Sequence, residues 1–458
     1  MNAFLFKRID NAPLIVFRVL FGLLIFLESI GAIFTGWVRR AFIQPEFTFN
    51  FIGFDWLQPL PGNGMYFYYA LMGLFGVFVM IGFKYRWSLA AFTLMWTATY
   101  MMQKASYNNH YYLLILICLL MLVQPAHRYL SVDAWRNSSI RQISMPRWCS
   151  VIIIAQVWIV YTYASVAKLY PDWLDYTVVE NLMLGRKHFP VVGALLQKHW
   201  IHVFVTWTGI LFDGLVVPLL LWKPTRKLAF FASVVFHLFN SFVFHIGIFP
   251  YMSLGFTLFF FDPQLIRNIF LKRKPLYTAG EISVPGHKNV CIGIGVAYFL
   301  IQLALPVRHW FIPGDVLWTE EAHRMSWRMM LRGKGGYIHF KVVDKATGKT
   351  EMIYPKDRLS PKQRRIVATK PDVIWQFAQR LKKEYAARGQ DVAVYALGKV
   401  SVNLRPAATF IDPKTDLAAE KWDPFRHSSW ILPEPGSEEK SSDPDKKAVN
   451  SAENKPRN

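Results

Sequence analysis

A lysine closes the apolar run Val157-Trp-Ile-Val-Tyr-Thr-Tyr163-Ala-Ser-Val-Ala-Lys168, and the chain breaks at Pro171 just beyond it. A charged side chain at membrane depth is costly, and its default reading is functional. Lysine is also the cation that most readily loses its proton on burial, which makes it available as a base. The plainer reading is a lysine that snorkels from a helix end with its stem along apolar neighbours. Polar residues elsewhere weigh against that reading. Asn108-Asn109-His110 opens one apolar stretch. In another, His237 is followed at offsets of three, four and eight by Asn240, Ser241 and His245, which share one helical face. Such a stripe on a spanning helix faces protein or a water-filled cavity, not lipid. His202 and Asp213 share a face of a third stretch, where packing and chemistry are equally open roles for Asp213. Arg18 and Glu28, in the first stretch, read as separate interhelical pairs. A lysine with imidazoles and amides, among Trp, Tyr and Phe, suits a lipid-soluble aromatic substrate with an ionisable hydroxyl.

The elements that must hold these groups are long apolar blocks in a chain of 458 residues, 53% hydrophobic and 16% aromatic. Blocks of this length signal a polytopic α-helical membrane protein. Candidate spans are 13–35, 66–83, 87–103, 110–124, 150–168, 201–222, 227–247, 250–270 and 289–307, about nine in all. The fourth is short for a crossing helix, and Asp262-Pro263 interrupts the eighth. The first follows Lys7-Arg8, is too long for a signal-peptide core, and reads as a retained span. The net charge of +22 does not point to nucleic acid, because much of it lies in short connections between spans. With the amino terminus cytoplasmic, Lys84 and Arg86, Arg128 to Arg147, Lys223 to Lys227 and Arg267 to Lys274 all fall inside. That orientation places the carboxyl-terminal domain on the outer, periplasmic or lumenal, face.

From Arg308 the composition becomes that of a smaller α+β extramembrane domain, 308–433, after a transmembrane catalytic domain, 1–307. Tyr337–Val343 and Glu351–Tyr354 flank Asp344-Lys-Ala-Thr-Gly-Lys349, a hairpin signal. Pro361 to Arg388 reads as one amphipathic helix ending at Gly389, and Asp391 to Leu404 as one or two strands. Residues 434–458 are too polar to bury and read as a disordered tail. Cys118, Cys149 and Cys291 form neither a metal spacing nor a disulfide framework, and no metal is expected. There is no phosphate loop, paired-histidine zinc motif or nucleophile elbow, and Gly333-Lys-Gly-Gly336 reads as a turn.

Several segments, in order, resemble the vitamin K-dependent gamma-glutamyl carboxylases and their bacterial homologues, the horizontally transferred transmembrane domain family. They are Asn108-Asn-His-Tyr-Tyr-Leu113, Ser131-Val-Asp-Ala134, Ala164-Ser-Val-Ala-Lys-Leu-Tyr-Pro-Asp-Trp173 and Phe236-His-Leu-Phe-Asn-Ser241 with Ile246-Gly-Ile-Phe-Pro-Tyr251. Further along, Ser326-Trp-Arg-Met-Met330, Phe410-Ile-Asp-Pro413, Trp422-Asp-Pro-Phe425 and Ser428-Ser-Trp430 are similar to the family's lumenal segment. The resemblance implies a membrane carboxylase that couples conversion of reduced vitamin K, phylloquinol or menaquinol, to its epoxide with carboxylation of a peptide glutamate. Dioxygen and carbon dioxide are co-substrates. Lys168 matches the base toward the hydroquinone, and His110 and His237 match histidines important to the later steps. Asn109, Asn240, Ser241 and Tyr163 are the expected quinol-contacting residues. The partners implied are the lipid bilayer and a glutamate-containing peptide or protein.

Two departures qualify the resemblance. The chain ends soon after Trp430, where the animal enzymes continue, and its outer domain has no cysteine for their disulfide. Both favour quinol oxygenation over tethered protein carboxylation. A quinol epoxidase without carboxylation is therefore one alternative. A transporter or lipid-binding membrane protein is another, although the inverted repeats and broken helices of transporters are not evident.

Overall fold

A computed structural model describes residues 2–190 and 192–436. Much of the expected tail thus lies outside the described residues. Two compact units emerge. The first comprises the described residues up to Phe311, with Ala322–Gly333 and Pro355–Ile366; the second comprises Ile312–Glu321, Lys334–Tyr354 and the described residues from Val367 onward.

The first unit is helical. Numbering helices of seven or more residues, it contains α1 (Ala12–Phe34), α2 (Gly64–Ile81), α3 (Tyr85–Met102), α4 (Asn109–Leu122), α5 (Trp148–Val166), α6 (Thr177–Leu184) and α7 (His199–Leu221). These are followed by α8 (Arg226–Phe244), α9 (Phe249–Phe256), α10 (Pro263–Phe270), α11 (Lys288–Val307) and α12 (Pro361–Val367). Helices α1 and α2 pack almost backbone to backbone: a Cβ on Gly22 would lie 2.3 Å from Met80 N, and one on Gly76 2.8 Å from Phe26 N. Small residues permit such approaches where the surrounding solvent is as apolar as the side chains.

Among the described residues, six helices are long and apolar enough to cross a membrane, not nine. They correspond to α1, α2, α5, α7, α8 and α11, the last extending through a turn to Phe311. Helix α3 is long enough but carries Arg86, Ser88, Thr93, Thr97 and Thr99, and α4 has only 14 residues. The expected eighth span is broken. Helix α9 tightens into a 3-10 turn at Thr257–Phe259, then Asp262 caps α10 by accepting a hydrogen bond from Gln264 N at 2.9 Å.

Polar contacts pin the bundle at both ends. Arg18 donates to the carbonyls of Ala126, at 3.0 Å, and Leu130, at 2.6 Å, while Glu28 accepts from the Tyr111 hydroxyl at 2.8 Å. Glu28 thus makes the interhelical pair expected of it, whereas Arg18 binds carbonyls of the connection that follows α4 rather than another helix. The Ser131-Val-Asp-Ala134 segment proves to be a double cap. Ser131 Oγ accepts from Ala134 N at 3.0 Å, and Asp133 accepts from Lys84 N and Tyr85 N at 2.7 and 2.9 Å, closing the start of α3. A short ribbon, β1 (Arg8–Asp10) with β2 (Ser144–Pro146), lies beside the buried Lys274–Asp10 pair at 2.7 Å.

The second unit has an antiparallel sheet of β3 (Lys334–Asp344), β4 (Thr350–Ile353), β5 (Val392–Val402) and β6 (Ala408–Thr409), ordered β4-β3-β5-β6, with α13 (Pro371–Ala386) packed on it. Phe377 of α13 meets Phe340 edge-on at 4.9 Å. The hairpin turns at Asp344, whose carboxylate accepts from Ala346 N and Thr347 N at 3.0 and 2.9 Å. Those amide bonds hold the Asp344 carboxyl below its usual range. Two expectations are corrected. Lys334, Gly335 and Gly336 belong to β3 rather than a turn; a Cβ at Gly336 would lie 2.6 Å from Lys399 O, so glycine lets β5 come close. The single helix expected over Pro361–Arg388 is two, because Lys370, preceding Pro371, is extended.

Candidate active site

Lys168 lies two residues beyond the end of α5. Tyr170 is forced into the extended region by Pro171, so the helix cannot continue. The lysine side chain folds back over the final turn. Its Nζ donates to Ala164 O at 3.1 Å, a carbonyl left over at the helix end. It also donates to the carboxylate of Asp213, which projects from the middle of α7. Both side chains are buried, at 9% and 8% exposure. The Trp173 ring lies 5.6 Å from Nζ. Helices α5 and α7 are further joined by Ser165 Oγ, which donates to Ile210 O at 2.9 Å.

The two imidazoles come from other helices. His237, on α8, places Nε2 2.8 Å from the hydroxyl of Tyr161, two turns before Lys168 on α5. His110, in the first turn of α4, stacks on Phe249 with centroids 4.1 Å apart. Phe249 also meets His237 edge-on at 6.1 Å, so one ring lies against both histidines. The Nδ1 atoms of His110 and His237 are buried and have no hydrogen-bond partner among the described residues. Lys168, Asp213, Tyr161, His110, His237 and Asn240 all line one cavity of about 590 Å³. The rest of its wall is overwhelmingly apolar, with Phe212, Phe236, Met329 and Met330 among the lining residues.

Four of the seven residues singled out by sequence therefore line the same cavity: Lys168, His110, His237 and Asn240. The structure places Asn109, Tyr163 and Ser241 outside the cavity lining. Tyr163 lies about 200° around α5 from Tyr161 and donates to Leu303 O at 2.8 Å. Ser241 Oγ is 3.1 Å from the Tyr251 hydroxyl. Asn109 accepts from the Tyr107 hydroxyl at 2.8 Å and donates to Arg328 O at 3.2 Å. Asn109 thus grips a segment in which Met325, Trp327 and Met330 all have positive φ. The Tyr107 hydroxyl accepts from Met325 N of the same segment at 2.6 Å, and Tyr170 donates to Leu331 O. The clamp holds Met329 and Met330 against the cavity. His202 binds Leu196 O at 2.9 Å, and His245 lies beyond α8 with φ of 54°. Tyr161 was not anticipated, although its spacing of seven from Lys168 puts it on the same helical face. Among the described residues, no group of three or more His, Cys, Asp or Glu could hold a metal.

Residues 6–264 match the HTTM domain family, and residues 287–437 match the vitamin K-dependent gamma-carboxylase lumenal domain. The chain belongs to the HTTM domain family. The second match joins it to the vitamin K-dependent gamma-glutamyl carboxylase family, with the two regions in chain order. No solved structure matches the chain. In this carboxylase-family protein every cavity-lining polar residue lies within the HTTM match.

Proposed function

We propose that this protein is an integral membrane enzyme that couples oxygenation of reduced vitamin K to carboxylation of peptide glutamate, with Lys168 as base toward the quinol. The observation that carries this reading is that Lys168, His110 and His237, from separate elements, line one largely apolar cavity. A naphthoquinol fits the residues present. The cavity is large, apolar and aromatic, and the His110 and His237 Nδ1 atoms, which have no partner among the described residues, can bind ring oxygens. When bound, the quinol supplies oxidative driving force that no side chain has, since a glutamate γ C–H is far too weak an acid for direct deprotonation. The chain's part is smaller. Lys168 removes a phenolic proton, the imidazoles orient the ring, and the apolar wall keeps water from strongly basic species.

The proposed topology has nine passes, an inner amino terminus and an outer carboxyl-terminal domain. The broken stretch supports it. A Cβ on Gly247 would lie 3.6 Å from Glu28, Phe256 and Phe259 pack on Phe17 at 5.5 and 5.2 Å, and Lys274 meets Asp10. The segment therefore runs antiparallel along α1 from one end to the other. Helix α4 covers similar depth, from the Tyr111–Glu28 bond toward Ala126 beside Arg18.

One observation favours quinol epoxidation without carboxylation. Lys168 is the one Lys or Arg among the described residues lining the cavity, and it is held by Asp213, so this cavity offers no separate cation to a glutamate carboxylate. Purified protein in bilayers, given phylloquinol or menaquinol, dioxygen, a glutamate peptide and labelled bicarbonate, separates the outcomes. Epoxide with label in glutamate supports the carboxylase; epoxide without label supports the epoxidase; neither product removes both.

A further inference from the structure

Asp213 is the nearest charged partner of Lys168, and an ammonium that is already paired has no lone pair with which to accept a proton. We infer that Asp213, acting through Lys168, is the final acceptor of the substrate's hydroxyl proton. The inference rests on the proposed role of Lys168 as base.

The geometry leaves two routes to a competent amine. In one, Lys168 loses its proton to solvent and leaves an ionised Asp213 uncompensated in an apolar cavity, which is strongly disfavoured. In the other, the proton already shared between the pair moves from Nζ to Asp213, giving a neutral amine beside a neutral acid. Of the three N–H bonds of Lys168, one is directed at Ala164 O and one at Asp213. The third has no hydrogen-bond acceptor among the described residues, and it marks where a hydroxyl docks. Rotation about Cε–Nζ then presents the vacated lone pair to that hydroxyl. Its O–H bond breaks, an N–H bond forms at Nζ, and the net change is one proton gained by Asp213 and one lost by the substrate. The cavity begins with ammonium and carboxylate and ends with ammonium and phenolate. No charge has to cross the apolar wall.

The position of Asp213 suits this role. It sits in mid-helix rather than at a helix end where water could serve it, and α7 is held against α5 by the Ser165–Ile210 bond next to the pair. A counter-ion needed only for folding would explain the burial but not why Asp213 is among the residues that line the cavity.

The test uses the full chain in bilayers and a nitronaphthol that stays protonated in the medium at the assay pH, a phenol with a coloured anion and no second hydroxyl to oxidise. In the wild type we expect the anion colour on binding with no proton released to a weakly buffered medium. In Asp213→Asn we expect the colour at neutral pH only with release of about one proton per anion. Epoxide formation should fall by about 100-fold or more in Asp213→Asn and recover as pH rises, a loss typical of general acid–base groups, while Asp213→Glu stays within about tenfold. Unchanged colour, proton balance and pH profile in Asp213→Asn would overturn the relay. Should that variant not fold, the wild type alone decides, because one proton released per bound anion overturns it equally. Lys168→Ala separates the two ideas. Wild-type epoxidation without the lysine removes base and relay together, whereas an inactive Lys168→Ala beside an unperturbed Asp213→Asn removes the relay only.

Discussion

A buried ion pair at a reaction centre combines a structural and a chemical role, and substitutions can separate them. Replacing only Lys168 leaves Asp213 charged and unpaired, a change that typically costs about 3–5 kcal/mol. Lys168→Met is therefore expected to lower thermal stability as well as abolish epoxide formation. The double substitution Lys168→Met with Asp213→Leu should recover most of the stability, since an apolar pair of similar volume is often neutral or better. It should recover none of the activity. Thermal inactivation and an epoxide assay on the same preparations check this, and an active double variant would dismiss the pair from the chemistry. An added primary amine is expected to restore part of the activity of Lys168→Ala. For His237→Ala, expression should stay near normal while the rate falls by about 100-fold or more, the usual scale for a group engaged in proton transfer. Tyr161→Phe, which removes only the hydroxyl 2.8 Å from His237 Nε2, should lose less.

At the scale of elements, the apolar blocks were legible because their length far exceeds what a soluble helix needs, and the lysine stood out because charge is rare there. The site was harder to read. His237 and Asn240 follow a simple helical offset and line the cavity, but Ser241, four residues from His237 on the same face, meets the Tyr251 hydroxyl instead. Two residues along a helix is about 200° of rotation, enough to send Tyr163 to the opposite side from Tyr161. Asn109 shows a different limit, since its grip on Arg328 O joins positions far apart in sequence, and no local pattern reports that contact. The break at Asp262-Pro263 was visible, whereas its consequence, a short helix, a 3-10 turn and a capped second helix beside α1, depends on tertiary packing. Helix contact gives its own prediction. Gly22→Ala places a methyl within 2.3 Å of Met80 N, and overpacking typically costs about 1–3 kcal/mol, so a clear fall in the inactivation temperature is expected. Gly31→Ala is the control. A Cβ there meets nothing within 4 Å, and alanine in a helix gains about 0.5–1 kcal/mol over glycine, so equal losses at the two positions would refute the close-packing account.

Taken whole, the molecule joins two units with separate interiors, a bundle built from lipid-length helices and a sheet packed by α13 around Phe340 and Phe377. Their responses to pH should differ, because the second unit carries a titrating pair suited to the neutral range. His427 Nδ1 lies 2.7 Å from Glu321, which also accepts from Ser428 N at 2.9 Å. The hydrogen bond to Glu321 raises the His427 pKa, and partial burial only offsets part of that rise. A group whose folded pKa exceeds its unfolded value stabilises most when protonated in both states. The contribution of His427 is thus complete below about pH 6.5, the ordinary histidine value, and is lost as pH climbs through the raised folded value. Melting of the full chain should show the sheet unit's transition moving to lower temperature as pH rises above about 6.5, the ordinary histidine value. His427→Gln should flatten that slope, and Glu321→Gln should do the same by removing the charge that holds the proton. A slope that survives both substitutions would assign the pH response to other groups, and a rising slope in the wild type would contradict the sign of the linkage itself.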